Sequence, residues 1–140
     1  MTVVFHNIAA IRGYRAHVYF NPSTRATALA VRQALTGCFA VQVGVFHDGP
    51  VGPHSSGSFQ LGFTPGQFDH VVPLLMLNRQ GLDVLVHPLT GDEAGDHDYR
   101  AMWLGTPQPL DIDFLRSLPA AAAARPESQP ALLTQDSCND

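Results

Sequence analysis

Two stretches of alternating residues, far apart in the chain, constrain its fold more than any other feature. In Tyr14-Arg15-Ala16-His17-Val18-Tyr19-Phe20, the residues Ala16, Val18 and Phe20 share one face, and Arg15, His17 and Tyr19 share the other. Leu82-Asp83-Val84-Leu85-Val86-His87 repeats the pattern, with Leu82, Val84 and Val86 against Asp83, Leu85 and His87. Two strands whose apolar faces enter one core must both turn their histidines onto the opposite surface.

The chain between them sets the topology. Asn21-Pro22 ends the first strand, and Ser23 or Thr24 caps a helix reaching about Cys38, with Ala28, Val31, Leu35 and Cys38 on its buried face. A strand over about 41–46 leads into His47–Gly57, a loop by its Gly, Pro and Ser content and long enough to suggest function. The next strand, 58–63, points Phe59, Leu61 and Phe63 inward and Gln60 outward. Thr64-Pro65-Gly66-Gln67 opens a second helix as a capping box. That helix sends Phe68, Val72, Leu75 and Met76 to the core, is expected to kink at Pro73, and stops near Gly81.

The order strand, helix, strand, strand, helix, strand predicts an α+β ferredoxin-like βαββαβ sandwich. It has a four-stranded antiparallel sheet, both helices on one face, and the first and last strands as neighbours. Arg15, His17, Tyr19, Gln60, Leu85 and His87 then populate the helix-free face, which a second subunit or the C-terminal segment must cover. Residues 90–101 read as a loop and short helix; Met102-Trp103-Leu104 follows, and Asp111 caps a short helix within 110–118. Residues 1–13 read as an irregular leader with Val3, Val4 and Phe5 tucked against the sheet. The expected organisation is one domain over 1–118 and a flexible tail over 119–140.

Composition narrows the partners. A net charge of −4 with eight Lys plus Arg leaves no basic stripe, which argues against nucleic acid and anionic membranes. There is no apolar run near the length of a membrane span, and 1–7 lacks the features of a signal peptide. Cys38 and Cys138 form no CxxC spacing and are not expected to pair, so a reducing cytoplasm is the default location. Seven histidines against those eight cations make histidine the unusual residue.

His17 and His87 on one face suit ligation of a first-row metal, although stacked surface or interface histidines would show the same pattern. His54 lies in the long loop beside that face, as ligand or exposed loop residue. His97, between Asp96 and Asp98, reads as ligand, proton shuttle or surface residue. Arg15 suits a substrate carboxylate or phenolate, and Gln60 an orienting role. His47 reads as a turn residue. No GxSxG, HExxH, P-loop or Rossmann fingerprint occurs.

Several strings carry a resemblance. Gly13-Tyr14-x-Ala16-His17-Val18-Tyr19-Phe20, Pro50-Val51-Gly52-Pro53-His54, Phe59-Gln60 and Leu75-Met76-Leu77-Asn78-Arg79-x-Gly81-Leu82 resemble the DOPA 4,5-dioxygenase-like family. Val84-Leu85-Val86-His87-Pro88-x-Thr90-Gly91-Asp92, Asp96-His97 and Trp103-Leu104-Gly105 continue the likeness, in order, over roughly 13–115. One departure is Arg15, where that family usually has the first histidine of a His-x-His pair.

The resemblance implies a ferredoxin-like homodimer and extradiol cleavage of a catechol such as DOPA by iron(II), or another divalent metal such as zinc as purified, and dioxygen. On it we expect His17, His54 and His87 as metal ligands, and His97 and Arg15 as catalytic groups. Arg15, Tyr19 and Gln60 are expected to bind substrate. The alternatives are a non-catalytic dimeric module binding a small aromatic ligand on the open face, and a dry dimer interface lined with histidines.

Overall fold

The computed structural model describes residues 2–38 and 41–119. Its elements are β1 (Gly13–Phe20), α1 (Arg25–Thr36), β2 (Gln42–Val43), β3 (Gly57–Phe63), α2 (Phe68–Asn78), β4 (Val84–Leu89), α3 (Glu93–His97), β5 (Met102–Leu104) and α4 (Ile112–Arg116). Short 3₁₀ turns precede β1 (Ile8–Ala10) and α2 (Pro65–Gln67).

One sheet of order β2-β3-β1-β4-β5 carries the fold, every pairing antiparallel. The expected neighbours β1 and β4 are adjacent, with Ala16 opposite Val86 and Arg15 opposite His87. The sheet has five strands rather than four, because Met102–Leu104 returns to pair with Val84–Val86. Three residues are too short to show a period, so only the tertiary pairing makes them a strand. β2 is likewise shorter than expected; beyond it Gly44 N–H to the Gln60 carbonyl (2.8 Å) and a single His47–Ser58 bridge hold the segment to β3. β4 begins two residues later than read and runs through Pro88, which lies past the end of β5, where a missing N–H interrupts no ladder.

The inner sheet face and the two long helices enclose the core. Ala16, Val18, Phe20, Phe59, Leu61, Phe63, Val84 and Val86 meet Ala28, Val31 and Leu35 of α1 and Val71, Val72 and Leu75 of α2. Met76, read as inward, is half exposed, and Val71 fills the core instead. α2 continues through Pro73. Gln67 Oε1 accepts from Thr64 N–H at 3.0 Å, so the expected cap forms, on the 3₁₀ turn rather than on the helix itself.

The opposite face is covered within the chain by the 47–57 loop, α3 and α4, so of the two expected covers the C-terminal part supplies one, and no bare face is left among the described residues. Val3, Val4 and Phe5 do not tuck against the sheet: they are 79%, 72% and 95% exposed. Cys38 packs at the core margin and is not a free thiol, against the expectation of unpaired cysteines; Cys138 lies outside the described residues. The tail read over 119–140 also lies outside them, apart from Pro119. Among the described residues, no helix is long and apolar enough to cross a membrane.

Candidate metal centre

Four segments each deliver one histidine to the second face of the sheet. β1 supplies His17 and β4 supplies His87, offset diagonally because His17 faces Leu85 while His87 faces Arg15. The long loop supplies His54. There Val51 and His54 exchange both backbone hydrogen bonds (3.2 and 2.9 Å) around Gly52, whose φ of +54° favours glycine. Ser55 Oγ donates to the Pro109 carbonyl at 3.0 Å and fastens the loop to the segment before α4. α3 supplies His97. Its Asp92 cap accepts from Gly95 N–H (3.1 Å), and the buried Asp96 carboxylate accepts from Thr90 N–H (2.8 Å), Thr90 Oγ1 (2.7 Å) and Arg100 (3.3 Å). The end of β4 and the helix carrying His97 are therefore pinned together.

The imidazoles cluster closely: ring centroids lie 4.2 Å apart for His17–His54, 5.1 Å for His17–His87 and 3.9 Å for His87–His97. His17, His54 and His97 each offer a ring nitrogen within 4.8 Å of the others. For His87 and His97 the other ring contacts fix which nitrogen is bare. His97 Nδ1–H donates to the Glu93 carbonyl (2.8 Å) and His87 Nδ1–H to the Pro88 carbonyl (2.9 Å). A carbonyl can only accept, so Nε2 of both rings carries a lone pair. His54 Nδ1 lies 2.7 Å from the Tyr19 hydroxyl. His17 Nε2 stands 3.0 Å from His87 Nε2, so it must either donate a proton to that lone pair or share a cation with it.

Burial keeps these rings neutral. Desolvation, reinforced by the neighbouring imidazoles and Arg15, holds His17 far below the usual imidazole range. Burial does the same for His87, seconded by His97 and only partly opposed by its bond to Pro88. His54 is lowered to about 4 by burial, then by His97 and His47, and burial also lowers His97. Neutral imidazoles with bare nitrogens fit a first-row divalent metal, which needs lone pairs and tolerates no proton on them.

A cleft of about 430 Å³ opens onto the cluster, lined among others by Arg15, His17, His54, Gln60, Glu93 and His97. A larger cleft of about 600 Å³ between α1 and α2 is walled mainly by apolar side chains and has no histidine or carboxylate, so the chemistry lies in the smaller one. The structure brings His17, His54, His97, Arg15 and Gln60 together at the cleft. His87 lies behind, fully buried. Tyr19 does not line the cleft; it stacks on Trp103 (centroids 5.6 Å) and backs His54.

Two residues escaped the sequence reading. His47, read as a turn residue, lines the cleft. Glu93 stands one helical turn before His97, with Oε1 3.8 Å from Arg15 and Oε2 3.5 Å from His97 Nδ1. Only the i,i+4 spacing of Glu93 and His97 hinted at it.

A ferredoxin-like sheet carrying four convergent imidazoles under a cleft defines a small α+β protein with a candidate divalent-metal site. Residues 14–114 match the Dopa 4,5-dioxygenase family, and the chain belongs to that family. Among its relatives, a DOPA 4,5-dioxygenase of Amanita muscaria is 34% identical over 131 residues, covering 87% of this chain and 56% of that protein. An uncharacterized 21.2 kDa protein of Botryotinia fuckeliana is 41% identical over 87 residues, 56% of this chain and 48% of that one. The chain thus spans about half the length of the curated relatives it matches. The crystal structure of a candidate dioxygenase from Nostoc punctiforme superposes with a TM-score of 0.79 at 50% identity, covering 80% of this chain and 97% of that one.

Proposed function

We propose that this protein is an iron(II)-dependent extradiol dioxygenase that opens the ring of a catechol such as DOPA. The observation that carries the reading is the convergence of buried imidazoles beside a cleft, three with ring nitrogens within 4.8 Å of one another, and with His87 and His97 held by main-chain carbonyls so that Nε2 of each carries a lone pair. Iron(II), when bound, supplies the centre at which catechol oxygens and dioxygen react. His17, His54 and His97 hold it, and His87 is near enough to His17 to join them. The proton-accepting role read onto His97 suits a ligand set of His17, His54 and His87 instead; the three-histidine grouping at the cleft favours His97 as a ligand. Arg15 at the cleft wall attracts the anionic end of the substrate, Gln60 offers an orienting amide, and Tyr19 steadies His54.

A module that merely binds an aromatic ring has no need of four converging imidazoles, so the geometry favours the enzyme. A homodimer, if formed, draws on the exposed apolar stretch around Val3, Phe5 and Ile8 rather than on the sheet face, and sedimentation tests it.

Anaerobic iron(II) titration, with zinc as competitor, tests the reading. One ion per chain is expected, lost in His17→Ala, His54→Ala and His97→Ala, followed by oxygen uptake with a catechol. Iron binding that survives all three substitutions would sink it.

A further inference from the structure

Glu93 has no part in the proposed ligand set, yet it sits where the two halves of the site meet. Its side chain is largely enclosed, and Oε2 is buried without a hydrogen bond. Such an oxygen is expensive to leave unsatisfied unless a neighbour can take it up. Two neighbours stand ready. The Arg15 guanidinium lies 3.8 Å from Oε1, and His97 Nδ1 lies 3.5 Å from Oε2. The Nδ1–H already donates to the Glu93 main-chain carbonyl at 2.8 Å, so one residue offers that proton two acceptors. A carboxylate behind a ligand imidazole strengthens the ring as a donor and fixes its orientation.

We infer that Glu93 is a positioning residue that couples Arg15 to His97. Its carboxylate is divided between the guanidinium and the imidazole, and an anionic group arriving on Arg15 releases it to His97. Occupation of the substrate's anionic subsite thereby tightens the metal's hold. The inference rests on the proposed reading, in which His97 binds metal and Arg15 takes the negative end of the substrate.

Cobalt(II) and phenylpropionate separate the two ideas: the first reports the ligand field by its visible spectrum, and the second is an aromatic carboxylate with no catechol oxygens to chelate. In the wild type, phenylpropionate should shift the cobalt(II) spectrum and tighten cobalt(II) binding. Glu93→Gln should weaken cobalt(II) binding about ten-fold and abolish that response. It should also tighten phenylpropionate binding to the metal-free protein, because the Glu93 charge no longer competes for Arg15. Glu93→Ala should move both affinities in the same opposed directions, and Glu93→Asp should restore part of the coupling.

A purely structural role moves both affinities down together or neither, and that result in the Gln and Ala variants overturns the inference. If the wild type binds no cobalt(II), the metal reading fails with it. If cobalt(II) binds, is lost in His97→Ala and is indifferent to Glu93→Gln, the coupling alone fails.

Discussion

Acid should unfold the metal-free protein through its buried imidazoles, and His54 sets the scale. Above the ordinary imidazole value of 6.5, the folded and unfolded chains are both neutral at this position and stability is complete. Below it the unfolded chain takes up a proton that the folded one refuses, so stability falls with pH until the folded value of about 4 is reached. Each pH unit inside that window removes up to about 1.4 kcal/mol, less near its ends. Relative to neutral pH, His54 alone therefore removes about 2 kcal/mol by about pH 5. His17, His87 and His97 are lowered in the same direction and steepen the loss. Glu93, raised chiefly by burial, acts with the opposite sign and softens it at the acid end.

The assay is urea unfolding of chelator-treated protein across about pH 7.5 to 5, set beside His54→Asn. The variant should start less stable, having lost the Tyr19 contact, yet lose about 2 kcal/mol less on acidification. Parallel pH profiles for the two proteins would refute the argument, since His54 would then titrate alike folded and unfolded.

Tyr19→Phe removes the hydroxyl 2.7 Å from His54 Nδ1 and should weaken metal affinity about ten-fold with only about 1 kcal/mol lost in stability, read by metal competition and thermal melting. Asp96→Ala removes a buried carboxylate that accepts three hydrogen bonds; Thr90 N–H loses its acceptor, while Arg100 keeps Thr90 Oγ1 at 2.9 Å and Asp92 at 3.8 Å. A loss of about 3 kcal/mol is expected by urea titration, with weaker metal binding because α3 is no longer pinned to β4. Phe59→Ala opens the core and should remove about 3–5 kcal/mol by the same assay. Gly57→Ala places a Cβ 2.7 Å from the Phe20 ring and 3.1 Å from the His47 carbonyl; about 1–3 kcal/mol should be lost, and a stability equal to wild type would contradict that packing.

Alternation by itself determined which side of the sheet each strand residue occupies. With the side-chain period fixed at two, Ala16, Val18 and Phe20 cannot enter the core without sending Arg15, His17 and Tyr19 to the other face, and His87 follows from β4 by the same rule. The helix faces of Ala28, Val31 and Leu35 were equally legible, because a 3.6-residue repeat is a local property. Met76 was misassigned because Val71 and Met76 both fit the apolar pattern of α2, and only the helix's rotation against the sheet chooses between them.

The tertiary structure decided everything that depends on distance between segments. Nothing local says that Met102–Leu104 pairs with β4, or that the 47–57 loop and α3 fold over the sheet and remove the need for a covering subunit. Nor does spacing reveal that His97 stands with His17 and His54 at the cleft while His87 lies buried behind them. Glu93 shows the same limit. Its charge and helical position are in the sequence, but its place between Arg15 and His97 exists only once β1 and α3, some 80 residues apart, are brought into contact. Periodicity reports which way a side chain points; what it meets there is set by packing.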